Sequence, residues 1–496
     1  MYYKKIFHQL VTVVVIFLSG CAVGPDYVKP IAPVPVQYKE IPKNWKLAQP
    51  QELTNRGPWW VIFHDAELNR LEKRVDAWNQ SVVSAAGAYL QARAIVDESR
   101  AAFFPTFSAT ASVTRQRTGI TPGTAATSAN SPANSHELMG AALWTPDIWG
   151  SVRRTVEASA AGAQSSAAAL AAIRLASEGS LAQFYFQLRA LDNDQKILND
   201  TVKADKAILK YIGNRYRAGI AGEADYLQAK TQLETAEASA LNNGILRGQY
   251  EHAIAVLVGV PPANFIIVAQ APYKLSPPAI PIEIPSVLLE RRPDVAQQER
   301  LVAQANAQIG IAISAYFPVI TLSATGNVTN PGFANWFSIP ALSWALGLQA
   351  AETIFDGGLR SATIRAARAN LTAVAATYKQ TVLTAFQNVE DNLVSLRILN
   401  TQAAVSDQAA RDAHAALRIV LNEYKAGTVD YTTVLTAQTT TFAADKTASD
   451  VHGQQMTSAA GLVQALGGGW DVRSIANAAS ANVDQYMTTI SKQTQK

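Results

Sequence analysis

Thr106-Phe107-Ser108-Ala109-Thr110-Ala111-Ser112-Val113-Thr114 alternates apolar or small residues with hydroxyl residues, position by position. Successive side chains of an extended chain point to opposite faces, so this period of two specifies a strand with one apolar and one small polar face. The pattern returns two hundred residues later. Ile320, Leu322, Ala324 and Val328 alternate with Thr321, Ser323, Thr325, Asn327 and Thr329. Each stretch is followed by a loop rich in Gly, Ser, Thr, Pro and Asn (119–136 and about 330–335) and then by a second apolar run. The first of these runs is weakly alternating, and the second contains Leu342, Trp344, Leu346 and Leu348. Four strands are expected, at about 104–118, 137–147, 318–330 and 340–352.

Between the strands the period changes to that of a helix. Leu68, Leu71, Val75 and Trp78 open a helical texture that runs to about residue 100. A second helix starts at Ser151 and extends to about Gly213, roughly 90 Å if unbroken. After a turn at Gly219 and Gly222, another covers about 223–258 and stops at Gly259 and Pro261-Pro262. The second half repeats the plan, with helices at about 293–313, 359–424 and 431–466. Pro293 sits at a first helical position, where its missing N–H costs nothing. Leu371, Val374, Tyr378, Val382, Ala385, Val389, Leu393 and Leu396 form a seam with a mean spacing near 3.5, which suits coiled-coil packing.

The repetition is explicit. Asn214-Arg215-Tyr216-Arg217-Ala218-Gly219 matches Asn422-Glu423-Tyr424-Lys425-Ala426-Gly427, and Gly259 matches Gly467 in the same register. Ala102-Phe103-Phe104-Pro105 echoes Ala315-Tyr316-Phe317-Pro318, and Gly150 and Arg153 echo Gly357 and Arg360. Each half reads helix, two strands, long helix, turn, helix. The expected organisation is a first repeat at 65–285, a second at 286–470 and a polar tail at 471–496.

Four strands cannot close a membrane barrel alone, because in lipid every backbone group must be bonded and every edge paired. Several identical chains can close one, and a three-fold assembly would supply twelve strands. Trp144, Trp336, Phe337 and Trp344 near the strand ends suit interfacial girdles, and the small polar faces suit a watery lumen. The helices are too long for a globular core. Their Ala and Ser content permits close backbone approach, which suits a hollow helical cylinder continuing the barrel.

Composition agrees. Charged residues make up 16% of the 496-residue chain, against the roughly 25% usual in soluble domains. The net charge of +4, without a basic stripe, argues against nucleic-acid partners. Six His fall in no metal-ligand spacing, and no nucleophile elbow or phosphate loop occurs, so neither an enzyme nor a cofactor is indicated. The single cysteine, Cys21, follows Lys4, Lys5, an apolar run at 10–18 and Leu18-Ser19-Gly20. This resembles a lipoprotein cleavage site: residues 1–20 a signal peptide, Cys21 the acylated residue, and Ala22 where inner-membrane retention would place Asp. Multiple acyl chains suffice for stable anchoring. A Pro-studded arm at 21–64 would run from the lipid over the body and end by docking Trp59-Trp60 and Phe63.

With these residues in view, the chain resembles the TolC-like outer-membrane factors, in particular the lipoprotein branch of resistance-nodulation-division efflux systems. The residues carrying the likeness are Cys21-Ala22-Val23-Gly24-Pro25-Asp26-Tyr27 and Leu289-Glu290-Arg291-Arg292-Pro293-Asp294-Val295. Ala315-Tyr316-Phe317-Pro318 and Ile354-Phe355-Asp356-Gly357-Gly358 add to it. The resemblance implies a mixed α/β membrane protein: a homotrimeric outer-membrane β-barrel, four strands per chain and twelve in total, continued by a long periplasmic α-helical barrel. It implies passive conduction of drugs or other small molecules, with a periplasmic adaptor and an inner-membrane resistance-nodulation-division pump as partners.

The two matched turns would then be the periplasmic tips. Gly219 and Gly427 let the chain reverse, while Arg217 and Lys425 are candidates for contact with the adaptor. Asp225 stands where relatives carry an acidic gate residue, and a helix N-terminal charge favoured by the macrodipole explains it equally well. In the second hairpin Thr433 and Thr436 replace the aspartates of some relatives, which leaves Asp430 and Tyr424 as candidates for constriction. Two alternatives stay open: an exit duct for a protein-secretion system, and a lipid-anchored scaffold that conducts nothing.

Overall fold

In the computed structural model, which describes residues 22–40, 58–117, 132–280, 291–330 and 342–470, the alternating stretches are strands. β1 (Thr106–Gln116) follows α1 (Ala66–Trp78) and α2 (Gln80–Ala101), and β2 (Ala133–Trp144) leads to α3 (Ser151–Arg217) and α4 (Glu223–Leu257). The second half gives α5 (Pro293–Ser314), β3 (Val319–Asn330), β4 (Leu342–Ala351), α6 (Leu359–Ala426) and α7 (Tyr431–Ala465). Cys21, the signal peptide, Trp336, Phe337, Leu289, Glu290 and the tail at 471–496 lie outside the described residues.

The four strands form one antiparallel sheet in the order β1-β2-β3-β4. Their register sorts the side chains. Phe107 pairs with Ala142, Ala142 with Ala324 and Ala324 with Leu346; Ala111 pairs with Leu138, Leu138 with Val328 and Val328 with Leu342. Paired residues share a face, so in these rows one face is apolar from β1 to β4, while toward one end the same face carries Arg115, Asn134, His136 and Asn330. It carries Trp144 and Trp344 toward opposite ends. Thr110, Ser112, Thr325, Ser323 and Gln349 fall on the other face. The strands are 11, 12, 12 and 10 residues long, against the roughly 9–11 that cross a bilayer. Among the described residues β1 and β4 each have one unpaired side. No described helix is long and apolar enough to cross a membrane.

Three expectations need correction. β2 starts at Ala133, four residues before the expected 137, and ends at Trp144. The residues at 133–136 have no alternation of their own, and their pairing with Val113 to Gln116 holds them extended. Asp147 is then drawn away to accept the Val152 and Arg153 N–H groups at the start of α3. The helix expected from 65 to 100 is broken at Asn79, which is buried and extended. The Asn79 side chain accepts from the Ser81 and Val82 N–H groups, and its amide donates to the Leu257 carbonyl at 2.9 Å. Asparagine favours such a break because it satisfies both helix ends at once.

The helix C-termini carry the repeat most plainly. In α3, Gly219 N–H bonds to Tyr216 O and Ile220 N–H to Arg215 O. In α6 the same pair of bonds runs from Gly427 to Tyr424 and from Thr428 to Glu423. α4 ends identically at Gly259 and Val260, and α7 at Gly467 and Gly468. This is the Schellman ending, which needs a left-handed residue just past the helix. Arg292 donates to Ala465 O, the counterpart of Asn79 donating to Leu257 O.

Contacts divide the chain into two units, each drawing on both repeats. One takes its described residues from Met1–Pro30, Leu90–Ser165 and Glu299–Thr377, and contains the sheet. The other comprises Ile31–Tyr89, Ser166–Gln298 and Tyr378–Lys496. In the second unit the α6 seam is buried from Tyr378 through Leu396, whereas Leu371 and Val374, in the first, are half-buried. Trp59 and Trp60 are buried in a short 3-10 turn, Trp59–Phe63. Trp59 Nε1 donates to Glu178 at 2.8 Å, and Phe63 packs on Phe186 at 4.9 Å. Beside Glu178 lies Glu72, fully buried, with neither carboxylate oxygen hydrogen-bonded. Burial, reinforced by the neighbouring Asp76 carboxylate, raises Glu178 to about 8 and Glu72 well above the usual carboxylate range.

Two predictions follow from these packing facts. A Cβ on Gly467 would lie 2.0 Å from the Arg291 carbonyl oxygen, whereas one on Gly427 meets nothing within 4 Å. Gly467→Ala should therefore unfold the protein at clearly lower denaturant than Gly427→Ala, which adds only backbone strain of about 1–2 kcal/mol. Equal midpoints would contradict the packing. Separately, an unfolded Glu178 releases its proton near ~4.3, and the folded one near 8. The native state holds the extra proton between these values, so stability falls as pH rises through that window. Glu178→Gln should raise the melting temperature at a pH of about 8.5 and leave it nearly unchanged at about 5; a pH-independent gap would refute the assignment.

Candidate functional site

The two matched turns come together. α3 and α4 are joined by residues 218–222, and α6 and α7 by residues 427–430, within one unit. Ile212, Ala229, Tyr424, Tyr431 and Val434 form a buried cluster, with Ile208, Leu209, Tyr226, Val420 and Leu421 packed around it. These residues recur at helical spacing on the inward side of each hairpin, so joining the hairpins buries both stripes. The cluster is strongly aromatic. Tyr424 lies 6.0 Å from both Tyr211 and Tyr431, and Tyr216 stacks on Tyr226 at 5.6 Å. The Arg215 guanidinium sits 5.2 Å from the Tyr424 ring centre and 5.9 Å from that of Tyr211, in cation–π range. Burial pushes the Tyr431 phenol up to about 12 and raises Tyr424, so both rings remain neutral at physiological pH.

Each expected residue except Cys21 can be placed. Gly219 and Gly427 have φ of 71° and 79° and are exposed. Arg217 is exposed but folded onto its own helix, bonding Gly213 O and Asn214. Lys425 is exposed. Asp225 lies in the first turn of α4, half-buried, where the helix dipole favours a negative charge. Asp430 caps α7 by accepting from the N–H and hydroxyl of Thr433, which hold its carboxyl below the usual range. Thr436 donates to Thr432 O. Tyr424 is 7% exposed, part of the packed interior of the tip. Cys21 lies outside the described residues.

The hairpin ends therefore pair two open glycine turns with a packed aromatic interior. Nothing in the arrangement provides a nucleophile with a base beside it, and no group of three or more His, Cys, Asp or Glu among the described residues could hold a metal ion. Sequence reading missed Arg215, Tyr211 and Tyr431. The signal was present: Tyr211, Tyr216, Tyr226, Tyr424 and Tyr431 all lie within about three helical turns of the two matched glycines.

Residues 73–260 and 284–468 match the family described as outer membrane efflux protein. The chain is similar to the probable efflux pump outer membrane protein TtgC of Pseudomonas putida, with 29% identity, covering 91% of this chain and 93% of that protein. Outer membrane protein OprJ of Pseudomonas aeruginosa is 28% identical over 94% of this chain and 97% of its own length. Among solved structures, the outer-membrane channel OprN superimposes with a TM-score of 0.83 at 26% identity, covering 91% of this chain and 100% of that one. The CmeC outer membrane channel of Campylobacter jejuni shares the fold, with a TM-score of 0.86 at 21% identity over 94% and 98% of the two chains.

Truncating the central ring tests how the tip is held. Tyr424→Ala should cost about 3–5 kcal/mol locally, as for other buried aromatics. Amide exchange should accelerate in the last turns of α6 and the first turns of α7, with the sheet unchanged. Unaltered exchange at the tip would show that Tyr424 does not organise it.

Proposed function

The chain belongs to the outer membrane efflux protein family, and from that membership we propose that it is the outer-membrane exit duct of a tripartite pump. It passes drugs or other small molecules outward without chemical change. The observation that carries this reading is the sheet: four strands of membrane-crossing length, one face apolar across its central rows and the other mostly small or polar, with one side of β1 and one of β4 unpaired among the described residues. Three copies joined β4 to β1 close twelve strands, place the apolar face toward lipid and surround water with the hydroxyl face. Cys21 carries the acyl anchor. The tips, with Arg217, Gly219, Lys425 and Gly427, receive the periplasmic adaptor, and Asp225, Asp430, Thr433, Thr436 and the ring of Tyr424 border the entrance. An inner-membrane resistance-nodulation-division pump supplies the energy. A duct that performs no chemistry needs neither cofactor nor metal.

Val at both tip glycines provides the test. Nothing stands within 4 Å of a Cβ at either position, so the body is undisturbed and each site bears only left-handed strain of about 1–2 kcal/mol. In a strain lacking its own duct, Gly219→Val with Gly427→Val should lower drug resistance at least about fourfold while trimers remain in the outer membrane. Full resistance at normal expression would overturn the role given to the tips.

A further inference from the structure

The residues after Cys21 are held more closely than an anchor's tether requires. Val23 N–H donates to Trp149 O at 3.1 Å. Arg154, 4% exposed, donates from Nε to Val23 O and from Nη2 to Gly24 O, both at 3.2 Å. Asn306 donates to Pro25 O at 2.9 Å. Three consecutive carbonyls are thus each taken by a side chain of the body. Tyr27 O–H donates to Glu299, and the Arg300 guanidinium lies 5.6 Å over the Tyr27 ring. The backbone approaches as closely as glycine permits. A Cβ on Gly24, at φ 101°, would fall 2.5 Å from Gly310 Cα, and one on Gly150, at φ 83°, 2.6 Å from Ala22 Cα.

We propose that residues 22–27 are the ligand of a peptide site built into the sheet-bearing unit, with Arg154 as the positioning residue that reads them. Arg154 also bonds Glu157 at 2.7 Å and Asp26 at 3.0 Å. The Asp26 side chain is 95% exposed, so that pair is screened and contributes little. The buried contacts with the two carbonyls hold the peptide, because removing it strips a buried cation of acceptors. The seat joins the two repeats at one corner. Trp149, whose carbonyl receives Val23, stacks on Phe317 at 4.9 Å and donates from Nε1 to Pro318 O, immediately before β3. The seated peptide thereby braces the point where β2 has ended and β3 begins. The seat does not depend on the acylation of Cys21 proposed above.

The test is amide exchange on full-length protein, followed by mass spectrometry over the segment that begins at Ala22. A Cys21→Ser chain exported with an ordinary signal peptide should protect Val23 as well as the acylated protein does. Arg154→Ala and Gly24→Ala should each accelerate that exchange at least about tenfold, and Arg154→Lys, which keeps the charge but loses the fork, by less. Exchange in β2 and β3 should quicken in the same variants. Gly24→Ala acts from the peptide side, so its result stands even where Arg154→Ala fails to fold. Unchanged protection in both variants, or release of the segment by Cys21→Ser alone, would overturn the proposal. Intact mass reads acylation separately: a mature exported chain no heavier than its bare sequence would refute lipid attachment and leave the seat standing.

Discussion

A strand at the side of a sheet presents a row of N–H and C=O groups to whatever lies beside it, and in hydrocarbon no solvent can take them. Each unmet group costs several kcal/mol there. Among the described residues β1 and β4 are such strands, and across its central rows the face they share with β2 and β3 is apolar. The sheet is therefore suited to membrane only when something pairs with both sides at once. A second and third copy of the same chain do so with no new element, and closure turns the hydroxyl-bearing face into the wall of a water-filled passage. The low charge and the small residues of the helices follow from the same need, since surfaces that meet identical neighbours must allow close approach.

Duplication supplied the parts, and the local surroundings then gave equivalent parts different tasks. All four long-hairpin helices end in the same glycine turn. At Gly259 and Gly467 that turn is pressed against the carbonyls of Trp78 and Arg291, so the glycine serves packing. At Gly219 and Gly427 the same geometry faces open space, so the glycine serves reversal of the chain. Aromatic packing behind those open turns, with Arg215 over two rings, keeps the ends rigid.

Much of this was legible in the sequence, because the features concerned are local. Period-two alternation located β1 and β3, the recurring Asn-x-Tyr-x-Ala-Gly located both tips, and the α6 seam marked its buried side. What escaped depends on contacts between distant residues. Asn79 interrupts an otherwise continuous helical pattern because Leu257 offers it a carbonyl. Residues 133–136 are extended because β1 pairs with them. Arg154 reads as an unremarkable base in a helix until residues 23 and 24 arrive from 130 positions away. The interleaving of the two repeats into two units was equally invisible, since spacing along the chain does not say which halves pack together.

The most direct measurement is single-channel conductance of the purified protein in a planar bilayer, with its mass in detergent determined beforehand. The account predicts a particle of three chains and discrete, stepwise openings, which become longer or more frequent when Asp225 or Tyr424 is replaced to loosen the entrance. A trimer that never conducts, even with those replacements, would contradict it and favour a scaffold that conducts nothing.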